Sequence, residues 1–136
     1  YLGKLSGPMR GRIDLFSEVP PLEFENLADR SPGEPSAAIR ARVTKARERQ
    51  SKRFGPDGPH CNAAMGQAEI RRFCALDDEG QALMKGAYEH MGLTARSYDR
   101  ILRVARTIAD LDESENIQTH HLAEAIQYRE TEYFSV

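Results

Sequence analysis

Apolar residues recur every three or four positions over most of the chain after residue 36, which is the period of an amphipathic helix. The pattern predicts five helices, at about 36–53, 67–76, 77–91, 94–111 and 119–129. Helices of this length joined by short connections are typical of a bundle. We therefore expect a mainly α fold for this part of the chain.

Residues that favour helix ends stand at the predicted boundaries. Four of the five predicted helices have at their start a side-chain oxygen that can accept hydrogen bonds from first-turn amides. These residues are Ser36, Asp77, Thr94 and Thr119. Gly92 follows the third helix, where a residue in the left-handed conformation commonly ends a helix.

A different pattern precedes the helices. Ile13, Leu15 and Val19 predict a strand over 13–19, and the two prolines that follow would end it. A lone strand leaves its backbone groups unpaired, and no later segment predicts a partner strand. Either this strand is an orphan that belongs to a sheet outside the helical part, or the alternation is misleading.

The organisation that follows is a helical bundle preceded by an orphan strand and a linker. Residues 23–35 include Pro, Gly, Asn and Asp in the mixture expected of a linker. We therefore divide the chain into 1–35, the end of a preceding α/β core with its linker, and 36–136, a helical domain.

Charge is distributed unevenly along the chain. The 136 residues have a formal net charge of -2, so the total charge does not indicate a nucleic-acid-binding protein. The predicted helix 36–53, however, carries a concentration of basic residues: Arg40, Arg42, Lys45, Arg47, Arg49, Lys52 and Arg53. They form either a solvated face or a docking surface for an acidic neighbour or for DNA phosphates. We expect Ile39, Val43 and Ala46 to face the bundle and the arginines to face solvent.

No metal site is predicted. Cys61 and Cys74 lack the four-ligand spacing of a zinc site and are expected to be reduced thiols of a cytoplasmic protein. His120 and His121 are adjacent, so on a helix they point about 100 degrees apart and make a poor metal pair. The chain also contains no apolar run long enough to predict a membrane span.

Three stretches carry a family resemblance. They read KLSGPMRGRIDL at 4–15, SAAIRARV with ARERQ and RF within 36–54, and GLTARSYDRILRVARTIADL at 92–111 continued by HLAEAIQYR at 121–129. Together they resemble the magnesium-chelatase-like AAA+ ATPases of bacteria, of the ComM type linked to DNA uptake and recombination. The resemblance covers nearly the whole chain in the same order.

The resemblance implies a C-terminal portion of an ATPase. An AAA+ module has an α/β core with a phosphate loop, followed by a helical lid, and this chain contains no GxxxxGK[ST] loop. The core would therefore lie upstream, and the strand at 13–19 would be its last strand. ATP and Mg²⁺ are the expected cofactors of the full-length protein, whereas this portion alone should bind neither and be inactive. The expected partners are that core, a hexameric ring of the same protein and DNA.

The resemblance also implies roles for two arginines. Arg12 matches the position at which related hexameric motors place an arginine finger, which reaches the ATP of the neighbouring subunit. The family pattern has two leucines and an aspartate before this arginine, whereas Met9, Arg10 and Gly11 stand here. Arg10 is therefore a rival for the role. Arg96 matches the sensor-2 arginine, which contacts the γ-phosphate bound in its own subunit.

The position of Arg96 suits an anion contact, because the first turn of a helix presents free amides and a positive dipole end. Arg100, Arg103 and Arg106 follow at spacings of three. This basic stripe either supports the phosphate site or solvates the helix, and we expect solvation.

Two other functions fit the same sequence. A magnesium chelatase motor subunit would use the same arginines, and the other domains of the full-length protein would distinguish it. A free-standing helical interaction or DNA-binding module belongs to a different class, and the orphan strand is evidence against it.

Overall fold

The computed structural model describes residues 6–17 and 33–134, together with Lys4, Val19, Pro21, Glu23, Phe24 and Ala28. The helices with defined bounds are α1 (Gly7–Gly11), α2 (Ser36–Phe54), α3 (Gln67–Phe73), α4 (Asp78–Met91), α5 (Ala95–Leu111) and α6 (Thr119–Phe134). A 3₁₀ turn at Asn62–Ala64 lies between α2 and α3. The five predicted helices are confirmed, and the mainly α fold with them.

Two of the predicted caps form as expected. The Asp77 carboxylate accepts the Gly80 amide at 2.7 Å, and the Thr94 hydroxyl accepts the Ser97 amide at 3.1 Å. Gly92 ends α4 in the left-handed conformation with φ 62°. Ser36 and Thr119 are instead the first residues of their helices, so the cap predicted at each of them is wrong.

The centre of the bundle is α5, which packs against α2, α3, α6 and the 3₁₀ turn, while α4 packs against α6. Its buried face includes Ile101, Ala105 and Ala109, and α6 contributes Leu122 and Ala125. These residues recur at helical spacings of three and four, as the periodicity predicted. Within the described part of the chain, no helix is both long enough and apolar enough to cross a bilayer.

The predicted strand is wrong over the described residues 13–17, none of which is in a strand. The Phe16 amide donates to the Tyr128 carbonyl oxygen of α6 at 2.9 Å. The Arg129 guanidinium donates to the carbonyl oxygens of Ile13 and, at 3.4 Å, of Asp14. The segment therefore finds its hydrogen-bond partners on a helix, which removes the need for a neighbouring strand. Glu18, within the predicted strand, lies outside the described residues.

A buried ion-pair network joins α2 to α5. Asp110 is fully buried, and its carboxylate accepts from both Arg53 terminal nitrogens at 2.9 and 2.5 Å. Arg106 approaches the same carboxylate at 3.2 Å. The Asn62 side-chain amide donates to it at 2.8 Å, and the Asn62 backbone amide donates to Gln50 at 2.9 Å. Every one of these groups needs its partners, because an unpaired charge at this depth is strongly unfavourable.

The network corrects the predicted orientation of α2. Ala46 is buried as expected, but Ile39 and Val43 are 42% and 38% exposed. Arg53, expected in solvent, lies against Asp110 instead. Burial of a guanidinium is tolerated here because a bidentate carboxylate compensates it. Only the C-terminal half of α2 is therefore anchored in the bundle, and its N-terminal half is exposed.

We expect Asp110→Ala to lower the free energy of unfolding by about 3–5 kcal/mol, because it leaves two buried guanidiniums without their carboxylate. Urea denaturation followed by circular dichroism measures the change. The control Asp57→Ala removes an exposed acid from a loop and should change stability by less than about 0.5 kcal/mol. A cost for Asp110→Ala equal to that of the control would contradict the role given to the network.

Candidate functional site

Arg96 lies in the first turn of α5, two residues after the Thr94 cap, and its side chain is exposed. The next residue, Ser97, is buried, so the opposite side of this turn is fixed against the bundle. Within the described residues, no hydrogen bond or ion pair engages the Arg96 guanidinium. The amides of this first turn lie outside the intrahelical pattern and point toward the same end of the helix. The position combines an exposed cation with the positive end of a helix dipole.

Arg12 directly follows α1 and is exposed. Its backbone amide donates to the Met9 carbonyl oxygen at 3.1 Å, which closes the last turn of the short helix. Arg10, the rival residue, is less exposed than Arg12. Its carbonyl oxygen accepts from the Arg129 guanidinium at 3.4 Å. Arg12 is thus the better presented of the two side chains.

Arg129 holds the segment that follows Arg12. It is fully buried in α6, and besides the carbonyl oxygens already described it lies 5.4 Å from the centre of the Phe16 ring. A second arginine, Arg100 of α5, pairs with the Asp14 carboxylate. We call these contacts the arginine clamp. They tie residues 10–16 to the two central helices.

The clamp was missed in the sequence, although a signal was present. Arg129 continues the buried positions Leu122, Ala125 and Ile126 at a spacing of three. An arginine in register with an apolar stripe is expected to need acceptors inside the fold.

The expected solvated stripe on α5 is wrong. Arg106 is 3% exposed and donates to the carbonyl oxygens of Ser114 at 2.8 Å and Glu115 at 2.9 Å. Arg103 donates from Nε to the Met65 carbonyl oxygen at 3.2 Å. These guanidiniums satisfy loop carbonyls that no helix or sheet pairs. Burial lowers the pKa of Arg106, while the nearby Asp110 carboxylate acts in the opposite direction.

His121 forms a helix-capping pair at the start of α6. Its Nδ1 accepts the Gln118 amide at 2.9 Å, which is one of the two hydrogen bonds of a capping box, with histidine in the place of glutamate. The neutral ring therefore carries its proton on Nε2 and donates it to Asp112 at 2.7 Å. Hydrogen bonds from His121 and then His120 hold the pKa of Asp112 below its usual value.

The same geometry argues against metal binding there. The ligand atoms of Asp112, His120 and His121 all lie within 4.8 Å of one another. They are closer together than we expected from two adjacent histidines on a helix. To bind a metal through Nε2, His121 would need a free lone pair on that nitrogen and its proton on Nδ1. Nδ1 instead accepts the Gln118 amide, so the proton of the neutral ring is on Nε2, which then has no lone pair for a metal. The cluster is therefore built as a cap.

The exposed basic residues of α2 are Arg40, Arg42, Lys45, Arg47 and Lys52. They spread around the solvent-facing sides of the helix, and we call them together the basic face. Arg42 pairs with Glu34 at 2.5 Å, and Lys45 lies 3.8 Å from Glu113. Both pairs are exposed and contribute little to stability. The basic face therefore retains a net positive charge and remains accessible from solvent.

The two cysteines differ in their exposure to solvent. Cys61 is exposed, whereas Cys74 is buried. Burial raises the pKa of the Cys74 thiol to about 11, so the nucleophilic thiolate is scarce at neutral pH. Cys74 therefore acts as an apolar core residue.

Residues 33–129 match the protein family described as magnesium chelatase, subunit ChlI C-terminal. The chain is 44% identical over 131 residues to YifB of Escherichia coli and 45% identical over 132 residues to the competence protein ComM of Haemophilus influenzae. It is 38% identical over 130 residues to YifB of Salmonella typhimurium. Each alignment covers 95% of this chain and 25% of the relative. The chain thus spans about a quarter of the length of these relatives.

We expect Arg129→Met to release residues 10–16 from the bundle, because methionine fills the space but donates to no carbonyl oxygen. Hydrogen exchange of the Phe16 amide should accelerate at least about tenfold, while the Ala105 amide in the core keeps its protection. Arg71→Met, at an exposed position on α3, is the matched control. Unchanged exchange at Phe16 would show that Arg129 does not hold the segment.

Proposed function

Because the chain belongs to the magnesium chelatase ChlI C-terminal family, of the type found in ComM and YifB, we propose that it forms the helical lid of an ATP-hydrolysing AAA+ motor. The family match covers the bundle from the start of α2 into α6. On this proposal residues 1–35 connect to the α/β core and 36–136 form the lid. ATP and Mg²⁺ bind chiefly to that core.

Arg96 serves as the sensor-2 residue. The observation that carries this assignment is its exposed side chain at the N-terminal end of α5, the helix at the centre of the bundle. A planar guanidinium with delocalised charge matches the oxygens of a γ-phosphate. Because α5 is anchored along its length, movement of the whole lid carries Arg96 toward or away from its own subunit's nucleotide.

Arg12 serves as the arginine finger for the neighbouring subunit of a ring. Its exposure supports the assignment, and so does the arginine clamp directly behind it. A finger contributes only if its cation is held where charge develops during phosphoryl transfer. The clamp provides such a support, since Arg129 and Arg100 tie the residues after Arg12 to α6 and α5.

The motor acts on DNA, and the basic face of α2 contributes to that contact. Two features support this. ComM, a relative at 45% identity, is a competence protein, and the basic face is exposed on a helix whose other end is firmly anchored. Lysines and arginines on such a face neutralise phosphates and release counterions.

In the full-length protein, Arg12→Ala and Arg96→Ala should both lower ATP turnover, by about 10³–10⁵-fold for a lost finger. In rings mixed with a subunit that has an intact finger but an inactive nucleotide site, Arg12→Ala subunits regain turnover, because the finger comes from the neighbour. Arg96→Ala subunits do not, because the sensor serves its own site. Steady-state ATPase assays on mixed rings measure both.

The control for this experiment is Arg10→Ala, which should hydrolyse ATP at nearly the wild-type rate. Normal turnover of Arg12→Ala together with loss in Arg10→Ala would assign the finger to Arg10. Rescue of Arg96→Ala by an intact neighbour would contradict the sensor role.

Reversing two charges of the basic face, in Arg40→Glu with Arg47→Glu, should leave the fold intact, since both side chains are exposed. DNA affinity of the full-length protein should fall, and its dependence on salt should become shallower. Fluorescence anisotropy with a labelled oligonucleotide at several salt concentrations measures both. Arg71→Glu with Lys85→Glu, exposed on α3 and α4, makes the same charge change elsewhere. Equal losses from the two pairs would assign the effect to total charge.

A further inference from the structure

Four arginines from three helices converge on one concavity. Arg49 and Arg53 of α2, Arg72 of α3 and Arg106 of α5 line a cavity of about 330 Å³. The sequence separates them widely, and only the packing of α2 and α3 against α5 brings them together. We call this feature the arginine cavity. Its wall also includes Glu115 and Asn116.

The arginine cavity carries more positive than negative charge. Its buried carboxylate, Asp110, is shared between Arg53 at 2.5 Å and Arg106 at 3.2 Å. Glu115 is the acid on its lining. Four guanidiniums thus face two carboxylates within this described part of the chain. A concave surface with an excess of one charge concentrates field and attracts an anion.

The four arginines divide into fixed and available donors. Arg53 and Arg106 are held by Asp110 and by loop carbonyls, so they form the back of the cavity. Arg49 donates from Nη2 to the Glu113 carbonyl oxygen at 3.2 Å. Arg72 stacks 5.0 Å from the centre of the Phe73 ring and forms no ion pair with another described residue. Arg49 and Arg72 therefore retain N–H groups for a ligand.

We propose that the arginine cavity binds a phosphate group of a nucleic-acid strand. The forked guanidinium matches phosphate oxygens with two parallel hydrogen bonds. Arg49 and Arg53 lie on the same helix as the basic face, so a strand that follows α2 toward its C-terminal end reaches the cavity. The choice of a nucleic acid as the source of the phosphate rests on the proposed action on DNA.

The test uses two probes, inorganic phosphate and the oligonucleotide (dT)12, titrated into the ¹⁵N-labelled chain at constant ionic strength. Each should shift the Nε–Hε signals of Arg49 and Arg72 saturably, and sodium chloride alone should not. Arg49→Gln with Arg72→Gln should weaken phosphate binding at least tenfold. The control Arg71→Gln with Lys85→Gln removes the same charge at exposed positions on α3 and α4, outside both the cavity and the basic face, and should keep the phosphate Kd within twofold.

The outcomes separate the site from the source of its ligand. If only the cavity variant loses phosphate binding, and the unchanged chain does not bind (dT)12, the result supports the site and contradicts action on DNA. If both variants weaken oligonucleotide binding equally and phosphate causes no saturable shift, the proposed site is overturned, whereas the proposed function stands.

Discussion

The buried carboxylate of Asp110 is the group on which the arrangement of this domain depends. It accepts two hydrogen bonds from Arg53 and one from Asn62, and it lies 3.2 Å from Arg106. Without it, two guanidiniums and an amide would be buried with unsatisfied polar groups, a cost that apolar packing at this junction could not offset. The C-terminal half of α2 and the 3₁₀ turn are therefore placed by one side chain of α5.

This constraint connects parts that lie far apart in sequence. The helix that carries Asp110 near its C-terminal end carries Arg96 in its first turn. Arg129 of α6, which packs on the same helix, holds the segment that follows Arg12. The bundle thus presents Arg12, Arg96 and the basic face to solvent. On the lid proposal, Arg96 moves together with the whole bundle, because the internal contacts of the bundle are packed and paired.

The sequence predicted the helices well because their signals are local. The period of apolar residues and the caps at Asp77 and Thr94 need no knowledge of the fold. The buried arginines are different, since Arg106 depends on loop carbonyls and on Asp110, which are placed only by tertiary packing. The strand expected at 13–19 failed over its described residues for the same reason, because Arg129 supplied the partners that a sheet would have given. For the candidate site, the residue types, their helix positions and the burial of Arg129 were accessible from the sequence. The acceptors of Arg129 in the clamp were not, because only tertiary packing brings the carbonyl oxygens of Ile13 and Asp14 to α6.

The most direct measurement is a structure of the full-length protein as a ring, determined by cryo-electron microscopy with a non-hydrolysable ATP analogue and Mg²⁺. The lid proposal predicts that the Arg96 guanidinium lies within hydrogen-bonding distance of the γ-phosphate in its own subunit, at about 2.7–3.2 Å. It also predicts that α5 and α2 keep the Asp110 contacts. A ring in which α5 is turned away from the nucleotide, with another residue of the bundle at the γ-phosphate, would contradict the proposal.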